Sequence, residues 1–158
     1  MRRRRGEAGQ SLLEWSILMP VILLVLFAMV DLSFILYKKH TLEQLTKEIA
    51  RGASVGQSVA DVSANAERIA AVLFPVSAST YEETTDAAGK KYGSLRLTST
   101  DGQHVRIAME PALSARTMGA TIRVAAEYTY PFVTPLLQGV DALLLRSAYV
   151  ALVEYVPK

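Results

Sequence analysis

The chain has no cysteine among its 158 residues and only two histidines. Without thiols there is no thiolate metal site and no cysteine nucleophile, and an exported domain must hold together by packing alone. His40 and His104 are far apart and stand in neither a His-x-x-x-His nor a His-Glu-x-x-His spacing, so no metal is expected. A phosphate-cradling glycine loop and a nucleophile elbow are both missing. The adjacent acids Glu82 and Glu83 point apart in a polar stretch and read as solvated rather than as an acid and base pair. No catalytic residue and no cofactor is expected, and the chain does not read as an enzyme. Nor does it read as a nucleic-acid binder. Its net charge is +2, and removing residues 1–9 takes away four arginines and Glu7, which leaves about −1 and no surviving basic face.

What is present is one long apolar stretch. It opens with Gly9-Gln10-Ser11-Leu12-Leu13-Glu14-Trp15 and runs through apolar residues from Ile17 to Val30. With Leu12, Leu13 and the segment 32–37 the low-polarity stretch reaches roughly 26 residues, enough at about 1.5 Å each to cross a hydrocarbon core of about 30 Å. No Ala-x-Ala-like site follows Tyr37, so the helix is expected to stay attached as an anchor. Arg2, Arg3, Arg4 and Arg5 outweigh Lys38 and Lys39 and hold the N-terminus in the cytoplasm, which sends the remainder outward. Two acids interrupt the anchor. Asp31, shortly before Tyr37, Lys38 and Lys39, is expected among the outer headgroups. Glu14 lies one turn inside the apolar run, where an ionised carboxylate is costly. Cleavage after Gly9 would make Glu14 the fifth residue of a chain beginning with the ammonium of Gln10. That ammonium could then meet the Glu14 of another chain, each relieving the other's desolvation.

This pattern resembles prepilins of the type IV pilus class: a short basic leader (Arg2 to Arg5), glycine before the scissile bond (Gly9), a new N-terminus (Gln10), glutamate at the fifth mature position (Glu14) and an aromatic next to it (Trp15). More narrowly, it resembles TadE-like minor pseudopilins of the tight-adherence (Flp) pilus system. There an early proline follows the glutamate, here Pro20, and an acid ends the apolar run, here Asp31. A segment like Arg51-Gly52-Ala53 closes the helix, and a Tyr-x-Tyr-Pro-Phe stretch recurs near the C-terminus, here Tyr128 to Phe132, followed by Thr134-Pro135-Leu136-Leu137. Many such proteins carry tyrosine or phenylalanine where Trp15 stands. The resemblance implies processing by a prepilin peptidase at Gly9 and Gln10, with Glu14 and Trp15 in processing and assembly. It also implies partners among other pilins, pseudopilins and Tad inner-membrane assembly proteins, in contact with lipid.

Beyond Lys39, Leu42, Leu45, Ile49 and Ala53 recur at helical spacing, so the helix continues to a stop at Gly52 or Gly56. Pro20 inside it removes a backbone hydrogen bond and predicts a kink or local melt near Leu18. Asp61 is the expected cap of a second helix that ends at Phe74-Pro75. Residues 77–93 read as a short strand at most and then an exposed loop. Asp101-Gly102 predicts a hairpin between Ser94–Thr100 and Gln103–Met109. Thr121–Tyr130 alternates as a strand, with Tyr128 and Tyr130 on its packed face. A link to Gly139, a brief helix over Ala142–Leu145 capped by Asp141, and a strand over Ser147–Val156 follow.

The expected fold class is α+β: a pilin-like N-terminal transmembrane and amphipathic helix, with a second helix packed on a small antiparallel sheet of three to five strands. The boundaries are a leader over 1–9, the helix over 10–56 and an exported domain over 57–158. The function these residues imply is a minor pilin, or pseudopilin, for assembly or priming of a Tad/Flp-type adhesive pilus. It would sit in the inner membrane as a single-pass protein, with its domain periplasmic or extracellular. The alternative is an uncleaved, membrane-anchored periplasmic binding module.

Overall fold

The computed structural model describes residues 5–132 and 142–156, and for residues 5–11 the backbone alone. One helix, α1 (Arg5–Ser54), runs unbroken through Leu18 and Pro20, so no local melt occurs there. Its sequence carries two patterns in series. From Leu12 to Val30 large apolar residues lie on every side and all are exposed. Further along, a stripe at spacings of four and three, comprising Leu42, Leu45, Ile49 and Ala53, is buried as its periodicity predicts. The helix stops where Gly56 takes a positive φ of 80°, a conformation that costs glycine little.

The second helix, α2 (Val59–Ala70), is capped by Ser58 and not by Asp61. The Ser58 hydroxyl accepts from the Asp61 amide at 3.2 Å and donates to the Asp61 carboxylate at 2.7 Å, so Asp61 is the reciprocal partner inside the first turn. The helix proper ends at Ala70. Val72 stays half exposed, while Leu73 and Phe74 turn into the core.

Five strands follow: β1 (Ala78–Thr85), β2 (Lys91–Thr98), β3 (His104–Glu110), β4 (Thr121–Tyr130) and β5 (Leu143–Leu152). They form one antiparallel sheet in chain order, a meander. The β2–β3 hairpin turns at Gly102, φ 79°, as Asp101-Gly102 predicts. Two expectations fail. Residues 77–93 are not a loop but a full hairpin, β1 paired with β2 from Ala78↔Thr98 to Thr85↔Lys91. Its turn is held by the Asp86 carboxylate, which accepts from the amides of Ala88 and Lys90 at 2.9 and 2.8 Å. Strand β1 lies at the sheet's edge, where little apolar patterning is required, and so it escaped a search for alternation. The brief helix over Ala142–Leu145 is likewise absent, because Leu143 already pairs with Tyr130 and β5 begins there. The Thr134-Pro135-Leu136-Leu137 stretch, the link to Gly139 and Asp141 lie outside the described residues.

One face of the sheet is covered by the second half of α1 and by α2, with Leu95, Leu97, Val105, Ile107, Ile122 and Val124 beneath them. The other face carries Arg96, Arg106, Arg123 and Arg146 beside Glu127 and small residues, and Arg146 pairs with Glu127 at 2.9 Å. The two layers are joined at the end of α1. Arg116, almost fully buried, donates to the carbonyls of Leu113, Ala53 and Gln57 at 2.7, 2.6 and 3.1 Å. The Ser54 carbonyl accepts from the amides of Glu154 and Tyr155. Carbonyls left over at a helix C-terminus are thereby satisfied by a cation and by the chain's own tail.

Replacing Arg116 by alanine removes three charge-assisted bonds and is expected to lower the unfolding free energy by about 2–4 kcal/mol. Lysine is expected to recover only part, since it lacks the planar fork that reaches three carbonyls. Urea unfolding of the full chain in detergent, followed by circular dichroism, measures both.

Candidate processing and assembly site

The residues singled out from sequence lie along the first turns of α1. Gly9 and Gln10 are both within the helix backbone. Glu14 follows Gln10 by four residues, one turn, so both occupy one side of the helix. Glu14 and Trp15 are exposed, Trp15 by 59%. Ser16 donates to the Leu13 carbonyl at 2.9 Å and Ser33 to the Met29 carbonyl at 2.8 Å, so these hydroxyls are satisfied within the helix, as an apolar medium requires. The structure thus places Gln10, Glu14, Trp15 and Pro20 on a single apolar rod, and among the described residues no other element packs over Leu12 to Val30.

Asp31 is different. It is 2% exposed and packs against the end of β4. The Tyr130 hydroxyl there is pushed up first by burial and then by the Asp31 carboxylate. Counting back from Leu42 in steps of four and three reaches Lys38, Ile35 and Asp31, so the domain's stripe begins a full three turns earlier than the apolar core suggests. Lys38 also contacts the domain: its ammonium donates to the carbonyls of Val72, at 2.9 Å, and Leu73, just past the end of α2. The uncovered rod therefore spans 12–30, about 28 Å at 1.5 Å per residue, close to one hydrocarbon thickness.

Among the described residues no group of three or more His, Asp or Glu could hold a metal. Tyr128 and Tyr130 are core residues: Tyr128 stacks on Phe74 at 5.9 Å and donates to Gln103 at 2.9 Å, and Tyr130 meets Phe132 edge-on. The acid pair divides as expected, though only Glu82 is simply solvated. Glu83 accepts from the Ser114 amide and hydroxyl at 3.3 and 2.5 Å and from the Tyr81 hydroxyl at 2.8 Å. Burial alone would raise its carboxyl, but donation by Ser114 and Tyr81 outweighs this and holds it below its ordinary value. Tyr81 in turn accepts from the Leu113 amide at 3.1 Å. Gly93 makes room for it, since a Cβ there would stand 2.7 Å from the hydroxyl. This network ties the β1 edge to the turn before Arg116, and no sequence motif announced it.

The order of these features decides the comparison. Residues 9–51 match the family model described as TadE-like protein. The N-terminal segment is TadE-like. The match begins at Gly9 and ends at Arg51, so the TadE-like segment takes in Glu14, the rod over 12–30 and the buried stripe as far as Ile49. It links the chain to Tad pilus systems. No curated protein and no solved structure matches the chain.

Burial, followed by the electrostatic and hydrogen-bonding influence of Glu83, pushes the Tyr81 hydroxyl up to about 12 from an ordinary value near 10. A raised folded value means that Tyr81 contributes its full stability below about pH 10 and loses it as pH climbs to about 12. Tyr81→Phe is expected to destabilise the protein by about 1 kcal/mol at pH 8. That deficit should shrink between pH 10 and 12, as read by urea unfolding at each pH.

Proposed function

We propose that the protein is a minor pilin, or pseudopilin, of a Tad/Flp-type adhesive pilus, cut by a prepilin peptidase between Gly9 and Gln10 and acting in assembly or priming of the fibre. The observation that carries this reading is the coincidence on one helix of the TadE-like match, the Gly9 to Glu14 spacing and a rod uncovered by its own domain for one membrane thickness. Before incorporation the protein sits in the inner membrane, arginine-rich leader inward and sheet domain outward. Its partners are the peptidase, other pilins and pseudopilins, Tad inner-membrane assembly proteins and lipid.

Cleavage places an ammonium at the first residue of α1, at the positive end of the helix dipole. Helical side chains lean toward the N-terminus, so a carboxylate four residues on is aimed at that end. Within lipid neither charge is tolerable alone, and each cancels the other's desolvation when two subunits pair. Glu14 thus gives a growing assembly a reason to bind one processed subunit after another in a fixed axial register.

Intact-mass measurement of the protein from a peptidase-competent host is expected to show a chain beginning at Gln10. A chain retaining residues 1–9 would remove the reading. Glu14→Ala is expected to leave cleavage intact and to cut incorporation into pili by a hundredfold or more, the size of about 3 kcal/mol for a broken buried pair. Shear-released pili, immunoblotted against total membrane protein, give that ratio.

A further inference from the structure

The meander leaves two bare edges. Among the described residues nothing pairs with the outward side of β1 or of β5. Folded proteins blunt such edges with charges, prolines, bulges or short strands. Strand β5 has little of this protection. It is ten residues long, pairs with β4 from Leu143 to Leu152 without a bulge, carries one charge, Arg146, and exposes Leu144, Tyr149, Val150 and Leu152. Strand β1 is the opposite kind of edge, with Glu82 and Glu83 at its centre.

We propose that β5 of one copy pairs with β1 of a second copy, in parallel, so that the exported domains join into a continuous sheet. Charge argues for this occupant. A cleft of about 290 Å³ runs along β5 between Arg146, Ser147, Tyr149 and the α1 residues Lys39, Glu43 and Lys47, three cations to one acid. Setting Glu82 of the second copy beside Arg146 continues the ion pair that Arg146 makes with Glu127. The same register puts Glu83 beside Ser147 on the helix-covered face, where Lys39 and Lys47 stand. It also puts Thr80 beside Leu144. The parallel sense rests on the pilus reading, since subunits that share a membrane carry α1 in one direction. A two-fold pairing of β5 with β5 would reverse α1, which lies on the sheet. In a meander of five strands β1 and β5 already point the same way, so a neighbour in the same orientation offers β1 to β5. The contact joins unlike edges, so it is not limited to a pair and can propagate from copy to copy, which suits a fibre.

The lack of native cysteine makes the test direct. Full-length protein carrying both Thr80→Cys and Leu144→Cys is oxidised in native membranes with copper phenanthroline. Neighbouring strands lie about 4.8 Å apart, within disulfide reach, so a ladder of dimers, trimers and larger species is expected, reversed by reductant. Each single variant is expected to stay monomeric, and a mixture of the two to stop at dimers. In the double-cysteine background, Glu82→Arg is expected to weaken the ladder at least tenfold, and Arg146→Glu added to it to restore at least half. Processed protein with an unchanged unfolding midpoint and no ladder overturns the proposal. So do dimers from Ala148→Cys alone, which report β5 against β5. A ladder from a chain that keeps its leader upholds edge pairing and removes the pilus reading; a processed chain without a ladder does the reverse.

Discussion

Everything outside the first thirty residues depends on burying one stripe of α1, from Asp31 through Lys38, Leu42, Leu45 and Ile49 to Ala53. A five-stranded sheet with one apolar face cannot stand in water until that face is covered. Helix α2 supplies only Val62, Ala66 and Ala70, so most of the cover comes from α1. The domain is thus built on the continuation of its own apolar rod. Tilting or rotating the rod moves the stripe, and with it the sheet.

That dependence explains why polar contacts concentrate at the ends of the stripe. At the far end Arg116 and the residues after β5 fill the last carbonyls of α1; near the start Lys38 fills those of Val72 and Leu73 just past α2. These are places where a helix end inside a domain would otherwise leave acceptors dry. The apolar middle supplies the area, and the cations fix how the two helices sit relative to each other. A helix that must stay rigid from lipid into a folded domain needs both.

The parts legible in the sequence were those where period and medium agree. Leu42, Leu45, Ile49 and Ala53 announced a buried face, Asp101-Gly102 a hairpin, and Ile122 to Tyr130 a core strand, and each stands as read. Strand β1 is hidden because an edge strand that packs only Ser79 and Tyr81 on one side has no apolar alternation to detect. The first residues of β5 resembled a helix because three leucines in a row carry no period at all. That Asp31 and Lys38 sit on the domain's stripe was not legible, because charges beside a greasy run break the apolar period that marks the stripe. At the candidate site, Gly9, Gln10, Glu14 and Trp15 were legible as spacing; the extent of the uncovered rod was not, because it is set by where the domain begins.

Between Asp31 and Tyr37 the two sides of α1 face different media. One side is sealed by the end of β4, while the other still shows Leu32, Phe34, Leu36 and Tyr37, each more than 40% exposed. Nearly two turns of such residues next to water would expose far more apolar surface than scattered single residues do. If lipid covered them, the end of β4 would have to dip below the headgroups, carrying backbone and the Asp31 carboxylate toward hydrocarbon, where both are penalised. The packing of a neighbouring subunit's apolar rod, as proposed above, carries no such penalty and leaves the sheet in water. Leu32, Phe34, Leu36 and Tyr37 then continue the apolar surface of residues 12–30 past the start of the domain, and one neighbour lying along α1 covers both.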